Sequence, residues 1–175
     1  TLYFIALSAE EKGLLGATYY AAHPLAPLAT TVAVINSEMF SPDGATRDIA
    51  SWGRGRVSLE RDLAAAAQAR GRAYSPDPNL EAGFFYRADH FAFARAGVPA
   101  ITVGPGLDKL DGGVAAGKAI RDRYFADCYH QPCDRWSASW DPAGHAADTL
   151  LLYDLGQRLA DSREWPRWDD GSEFK

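Results

Sequence analysis

Residues 30–35 read Thr-Thr-Val-Ala-Val-Ile, a run that is β-branched and apolar on both faces. A strand with one wet face alternates apolar and polar residues. One that is apolar on both sides belongs inside a sheet covered above and below, the habit of parallel strands. The run therefore predicts a central, parallel strand with helices over it. Residues 2–7 and 100–103 read as further buried strands, and 47–52 as a shorter one. Between them lie helical patterns. Residues 13–23 place Leu15, Tyr19 and Ala22 on one face at i, i+4 and i+7. A second helix opens at Ser58 and runs to about Arg70, and a short one ends at Ala96. Asp141-Pro142 supplies an N-cap and a first-turn proline for a last helix with Ala147, Leu150, Leu151, Leu155 and Leu159 on one face. Strand and helix alternate throughout. The expectation is an α/β fold with a mostly parallel, mixed sheet between helical layers.

The remaining segments read as connections. Tyr74 to Leu80, with Pro76 and Pro78, reads as irregular surface, and residues 108–117 as a glycine-rich loop or lid. Residues 118–126 allow one or two helical turns. Gly53-Arg54-Gly55-Arg56 is a flexible loop, since no Gly-Lys-Ser/Thr follows to make a phosphate cradle. The aromatics of the tail, Trp165 and Trp168 among them, are available to pack back on the domain.

At 175 residues the chain is long enough for one compact domain, residues 1–175, and too short for two. A net charge of −5 leaves no basic footprint for nucleic acid or an anionic membrane. No apolar run approaches the ~18–20 residues of a membrane span. No signal peptide is present, and the first residue already lies inside a strand-like pattern. That opening predicts a fragment, incomplete at its N-terminus.

The chemistry concentrates where strands end. Residues 4–16 deliver two adjacent carboxylates, Glu10 and Glu11, at the turn from an apolar run into a helix. Ligands of open α/β sheets sit at such carboxyl ends. Two acids side by side repel, which raises one pKa unless a cation lies between them. A metal-dependent hydrolase uses such a pair as metal ligand and general base. The plain alternative is a solvated acidic helix start. Glu38, Asp89, His90 and His130 also fall at or beside strand ends. His130 is a credible zinc ligand, and Asp134 either orients its ring or caps a turn. His23 and His145 read as ordinary structural or exposed histidines. Cys128 and Cys133 are open to three readings: a local disulfide, a partial zinc site, or two inert buried thiols.

These residues carry a family resemblance. Ser8-Ala9-Glu10-Glu11-Lys12-Gly13-Leu14-Leu15-Gly16 resembles the glutamate-pair motif of the M28 zinc peptidases, which include bacterial leucyl-type aminopeptidases and glutamate carboxypeptidase. Asn36-Ser37-Glu38-Met39 is similar to that family's Asn-x-Asp-Met segment. Tyr86-Arg87-Ala88-Asp89-His90-Phe91, followed by Gly97-Val98-Pro99, resembles its Arg-Ser-Asp-His and Gly-Ile-Pro stretches. Tyr129-His130-Gln131-Pro132-Cys133-Asp134 resembles its Tyr-His-x-Pro-x-Asp. The order agrees along nearly the whole chain, into the Trp-Pro-x-Trp and Gly-Ser-Glu-Phe ending.

The resemblance implies a C-terminal portion of a peptidase catalytic domain that removes N-terminal residues from peptide substrates with two zinc ions. It implies Glu10 as general base and Glu11 and His130 as ligands of one metal. Glu38 would ligate the second, with Asp89, His90, Tyr129 and Asp134 in supporting or substrate-binding places. It also implies an exported protein, periplasmic or secreted. Two departures stand out. The family's first His and bridging Asp belong upstream of the glutamate pair, outside this sequence. Glu38 stands where the family usually has Asp, one methylene longer, about 1.5 Å of extra reach. A single-zinc glutaminyl cyclase on the same scaffold is the alternative enzyme. A non-catalytic binding module, as in transferrin-receptor-like relatives, is the alternative of another class.

Overall fold

The structure, a computed structural model, describes residues 1–39, 41–53, 56–77 and 79–175. Arg54 and Gly55 of the glycine-arginine loop, and Pro78, lie outside the described residues. The strands are β1 (Val34–Ser37), β2 (Asp48–Trp52), β3 (Ala73–Ser75) and β4 (Ala100–Pro105). They form one four-stranded sheet in the order β1-β4-β2-β3. Val34 of β1 lies opposite Ala100 of β4 in a parallel pair, and Asp48 of β2 opposite Ala73 of β3 in another. β2 meets β4 antiparallel, Ile49 opposite Pro105. The sheet is mixed and mostly parallel, as the alternation of elements predicts.

The central place belongs to β4, which has neighbours on both sides and is buried from Ala100 to Gly104. The run at 30–35 is not the central strand. Thr30 and Thr31 turn their hydroxyls back onto the Pro27 carbonyl at 2.9 and 3.4 Å, closing a single 3₁₀ turn over Leu28–Thr30. Local side-chain bonding of this kind competes with a sheet ladder. Thr31 is already extended, but sheet pairing begins only at Val34, and β1 is an edge of the described sheet. Residues 2–7 form no strand either. No described strand lies beside them, Phe4 is 95 % exposed, and only Leu7 is partly buried. An apolar run becomes a strand where a neighbour satisfies its N–H and C=O groups. The reverse correction applies to residues 73–75. Pairing with β2, reinforced by a 2.7 Å hydrogen bond between the Ser51 and Tyr74 hydroxyls, makes them a strand.

The helices are α1 (Leu15–Ala22), α2 (Leu59–Ala69), α3 (His90–Arg95), α4 (Gly113–Asp127) and α5 (Ala143–Asp161). α2 buries Leu59, Leu63, Ala66 and Ala67, and α5 buries Leu151 and Leu155 against the same cluster as Ile49 and Ile101. Burying a Leu or Ile side chain fully is worth about 1.5–3 kcal/mol, so these contacts anchor the fold. Leu150 stays 51 % exposed and lies off the buried stripe. Pro142, not Asp141, takes the N-cap place of α5, and Asp141 supports the first turn from one residue further out, its Oδ1 accepting from Ala143 N at 2.9 Å. α1 and α3 share a second cluster of Ala17, Ala92, Phe93 and Val98. The expected face of α1 is the wrong one: Leu15 and Tyr19 are 55 and 68 % exposed and Ala17 is enclosed. Small residues let α1 lie close. A Cβ on Gly16 would stand 2.4 Å from Ser8 O.

The glycine-rich stretch at 108–117 is not all loop. α4 starts at Gly113 and runs for fifteen residues, far beyond the expected turn or two. Gly117 is a contact residue here, because a Cβ there would sit 2.0 Å from Leu107 O. The tail packs back in part, with Trp165 left 53 % exposed. Trp168 and Phe174 are buried beside Phe85, and Trp168 Nε1 donates to Gly97 O at 3.1 Å. Among the described residues no helix is long and apolar enough to cross a membrane.

Candidate active site

Glu10 and Glu11 do not open a long helix. They occupy a single 3₁₀ turn, Glu10–Lys12, set between Ala9 at φ 59° and Gly13 at φ 98°. Glu10 O accepts from Gly13 N at 3.0 Å and from Leu14 N at 2.9 Å, so the turn is closed by its own backbone. Gly16 N donates to Ser8 O at 3.0 Å, pinning the start of α1 onto the residue before the turn. Among the described residues the non-glycine positions with positive φ are Ala9, Leu14 and His130. Such backbone costs about 1–3 kcal/mol per residue and collects at functional sites. Two of these positions flank the glutamate pair, and the third is the candidate ligand.

His130 comes to the pair from the other end of the chain. Its Nε2 lies 2.9 Å from Glu11 Oε1. Its ring stacks on Tyr129 with centroids 3.8 Å apart, and Tyr129 in turn leans on Phe125 at 4.8 Å. That aromatic column roots the histidine in α4. Asp134 is not the residue that orients the ring: its Oδ2 accepts from the Tyr124 hydroxyl at 2.7 Å. Cys128 and Cys133 are joined in a disulfide that brackets His130, which resolves the three readings of the thiols.

Glu38 stands just past the end of β1, where Asn36 Nδ2 donates to its Oε2 at 3.2 Å. The same Asn36 nitrogen donates to Thr102 Oγ1 at 2.6 Å, so β4 fixes the residue that holds Glu38. Asp89 sits half-buried before α3, its Oδ1 buried without a hydrogen-bond partner among the described residues. His90 is fully enclosed, edge-on to Phe85 at 4.6 Å, and neither ring nitrogen has a hydrogen-bond partner among the described residues. Burial drives its pKa down to about 3, so it is a neutral core residue with no atom exposed to a substrate.

The acids sense one another. Burial raises the Glu10 pKa above its ordinary value, and Glu11 and Asp89 raise it further, against His130 and Arg87. Glu38 is likewise raised, first by desolvation, with Glu10, Asp89 and Glu11 adding to it and the Asn36 hydrogen bond opposing. Burial also raises Asp89 and Tyr129. Four carboxylates from three chain segments therefore share one field of negative charge.

Beside them is a cavity of about 340 Å³ whose lining includes Glu10, Glu11, Thr18, Tyr86, Arg87 and Arg95. A larger hollow of about 510 Å³, lined by Phe91, Arg95 and the last three residues, touches none of the four carboxylates. Arg87 is the functional candidate that sequence reasoning passed over. It lay inside a quoted motif, but only the fold puts its charge near both Glu10 and Tyr129. Arg95 had no sequence signal at all.

Among the described residues no three His, Cys, Asp or Glu side chains stand close enough together to hold a metal ion. The Glu11–His130 pair still has the right chemistry. Zinc takes imidazole nitrogen and carboxylate oxygen at about 2.0–2.2 Å, which in tetrahedral geometry puts the two donors roughly 3.3 Å apart. The observed 2.9 Å needs only a slight spreading of these two exposed side chains.

The profile of peptidase family M28 matches residues 1–153. No curated protein matches the chain in sequence. Among solved structures it is similar to the aminopeptidase from Aneurinibacillus sp. strain AM-1, with a TM-score of 0.58 and 20 % identity. That likeness covers 93 % of this chain and 36 % of the aminopeptidase, so this chain spans about a third of its length.

Proposed function

Since the chain belongs to peptidase family M28, we propose that it contributes the glutamate pair and one histidine of a zinc-dependent aminopeptidase site. In this reading Glu10 is the general base, Glu11 and His130 hold one zinc, and Glu38 holds a second. The observation that carries it is the meeting of Glu11 and His130 at 2.9 Å with half-buried Glu10 beside them. When bound, zinc supplies a Lewis acid that acidifies water and polarises the scissile carbonyl.

The protein's own residues do the rest. Glu10, made more basic by burial and by Glu11 and Asp89, takes a proton from the attacking water and returns it to the departing amine. Tyr129 carries its phenolic proton at neutral pH, as any tyrosine does, and burial raises its pKa further, so it can donate to oxygen in the site. The cavity between Glu10 and Arg95 offers room for the peptide. The Cys128–Cys133 disulfide supports work in an oxidising compartment, consistent with export.

The test separates the two glutamates in the protein at its full natural length, by metal analysis and initial rates on an aminoacyl-anilide. Glu10→Gln should lose roughly 10²- to 10⁴-fold in turnover with metal content intact. Glu11→Gln should lose metal and activity together, with partial rescue by excess zinc. Wild-type rates in Glu10→Gln, or a glutaminyl peptide cyclised instead of cleaved, defeat this reading.

A further inference from the structure

The loop that carries His130 has little to hold it. Residues 130–136 are all exposed, and none joins the apolar core. His130 also has left-handed backbone at φ 59°, a conformation an L-residue leaves unless its surroundings impose it. One side of the loop is anchored, since Cys128 N and Tyr129 N both donate to Tyr124 O at 2.9 Å at the end of α4. The return side rests on Gln131 N donating to Cys128 O, Asp134 N donating to Gln131 O, and the Tyr124–Asp134 hydrogen bond. These bonds are exposed, where water competes for each partner. Stacking on Tyr129 holds the His130 ring from one side, and the tie that closes the loop itself is covalent. Cys128 and Cys133 lie five residues apart in sequence with Cα atoms 5.4 Å apart, closing a small ring around His130.

We propose that the Cys128–Cys133 disulfide is the positioning element for His130, fixing the left-handed turn that points its imidazole at Glu11. A ring this short leaves the intervening backbone few conformers, so His130 reaches the pair already oriented. Opening it lets residues 129–132 relax toward ordinary backbone and withdraws the nitrogen from the pair. The inference rests on the reading of His130 as a zinc ligand, and its experiment separates the two.

Zinc affinity is measured by chelator competition on the full-length protein, for wild type, Cys128→Ser/Cys133→Ser, His130→Ala and all three changes combined. Outer partners that orient a metal ligand are typically worth 10–100-fold in affinity. The serine pair should therefore bind zinc about that much more weakly, and should cost nothing further once His130 is gone. That lack of additivity is what a general stabilising role would not produce. If the serine pair fails to fold, the folded wild type is opened with a trialkylphosphine. There each sulfur leaves as a thiol and the phosphine takes the oxygen of water to become its oxide. The thiols are then capped with iodoacetamide and the titration repeated. Unchanged affinity in the opened protein, or an equal further loss in the His130→Ala background, overturns the proposal. Unchanged affinity in His130→Ala alone overturns the ligand reading, and the positioning role with it.

Discussion

Gly117→Ala adds one methyl group to α4, and the structure says where it goes. The new Cβ would lie 2.0 Å from Leu107 O, 2.8 Å from its carbonyl carbon and 3.0 Å from its Cα. All three are backbone atoms, so no rotamer change relieves the clash. Ordinary contact begins near 3.4 Å, so α4 and the 106–108 segment must separate by about 1.4 Å. Leu107 has little freedom to yield, because Leu107 N and Asp108 N both donate to buried Asp48, at 3.3 and 2.9 Å. The control is Gly156→Ala in α5, where a Cβ meets nothing within 4 Å. Both substitutions gain the same helix propensity, about 0.5–1 kcal/mol, so the difference between them isolates the clash. Overpacking of this kind costs about 1–3 kcal/mol. Gly156→Ala should melt slightly above wild type, and Gly117→Ala should melt below Gly156→Ala by roughly 2–4 °C per kcal/mol. Because α4 leads directly into Cys128 and His130, the shift should also move the imidazole off Glu11. A misplacement near 1 Å can cost about 10² in rate. The assays are thermal melts of both variants with rates on an aminoacyl-anilide. Equal melting temperatures for the two variants refute the packing argument. A stability loss with wild-type turnover refutes the coupling of α4 to the site.

Glu38→Gln tests the shared field of the acids. Glu38 has a folded pKa raised above its ordinary 4.5, by desolvation first and by Glu10, Asp89 and Glu11 after it. The metal-free protein therefore takes up a proton on folding and loses stability as pH rises from 4.5 through the raised value. Melts of metal-free Glu38→Gln and wild type should coincide in acid and separate as pH rises, with Gln the more stable at pH 7; a constant gap at every pH sinks this account. Asp148→Ala strips the carboxylate partner from Arg72, whose guanidinium lies 2.7 Å away, is only 9 % exposed and keeps only the neutral acceptors Thr46 Oγ1 and Asp48 O. A buried charge left unpaired costs about 3–5 kcal/mol, and a chemical-denaturation loss under 1 kcal/mol contradicts it. Leu155→Ala, at 0 % exposure in the main cluster, should lose about 2–5 kcal/mol by the same measurement without altering zinc content.

How much of this protein is written in its sequence depends on the reach of each signal. The α/β class follows from local periodicity, and β4, α2, α3 and α5 form within a few residues of where the pattern puts them. The candidate residues Glu10, Glu11, Glu38, Asp89 and His130 were readable because each sits in a short motif; the expected strand ends were not, since of the five only Glu38 directly follows a described strand. Partner choice was not readable. Nothing local says that Glu11 meets His130, that Asp134 serves Tyr124, or that the two cysteines pair with each other. Nor does composition distinguish a glycine that loosens a loop from Gly117, which lets a helix touch Leu107. The threonines at 30 and 31 had the right β-branched shape for a strand, but their hydroxyls found the Pro27 carbonyl first. Residues 2–7 had the right apolar pattern and no described strand to pair with. A sequence determines by itself what depends on near neighbours: periodicity, turns, caps and the chemistry carried at each position. Which residues distant in the chain share a site, and which strand is central, is decided when remote surfaces compete for the same contacts, and only the tertiary structure records the outcome.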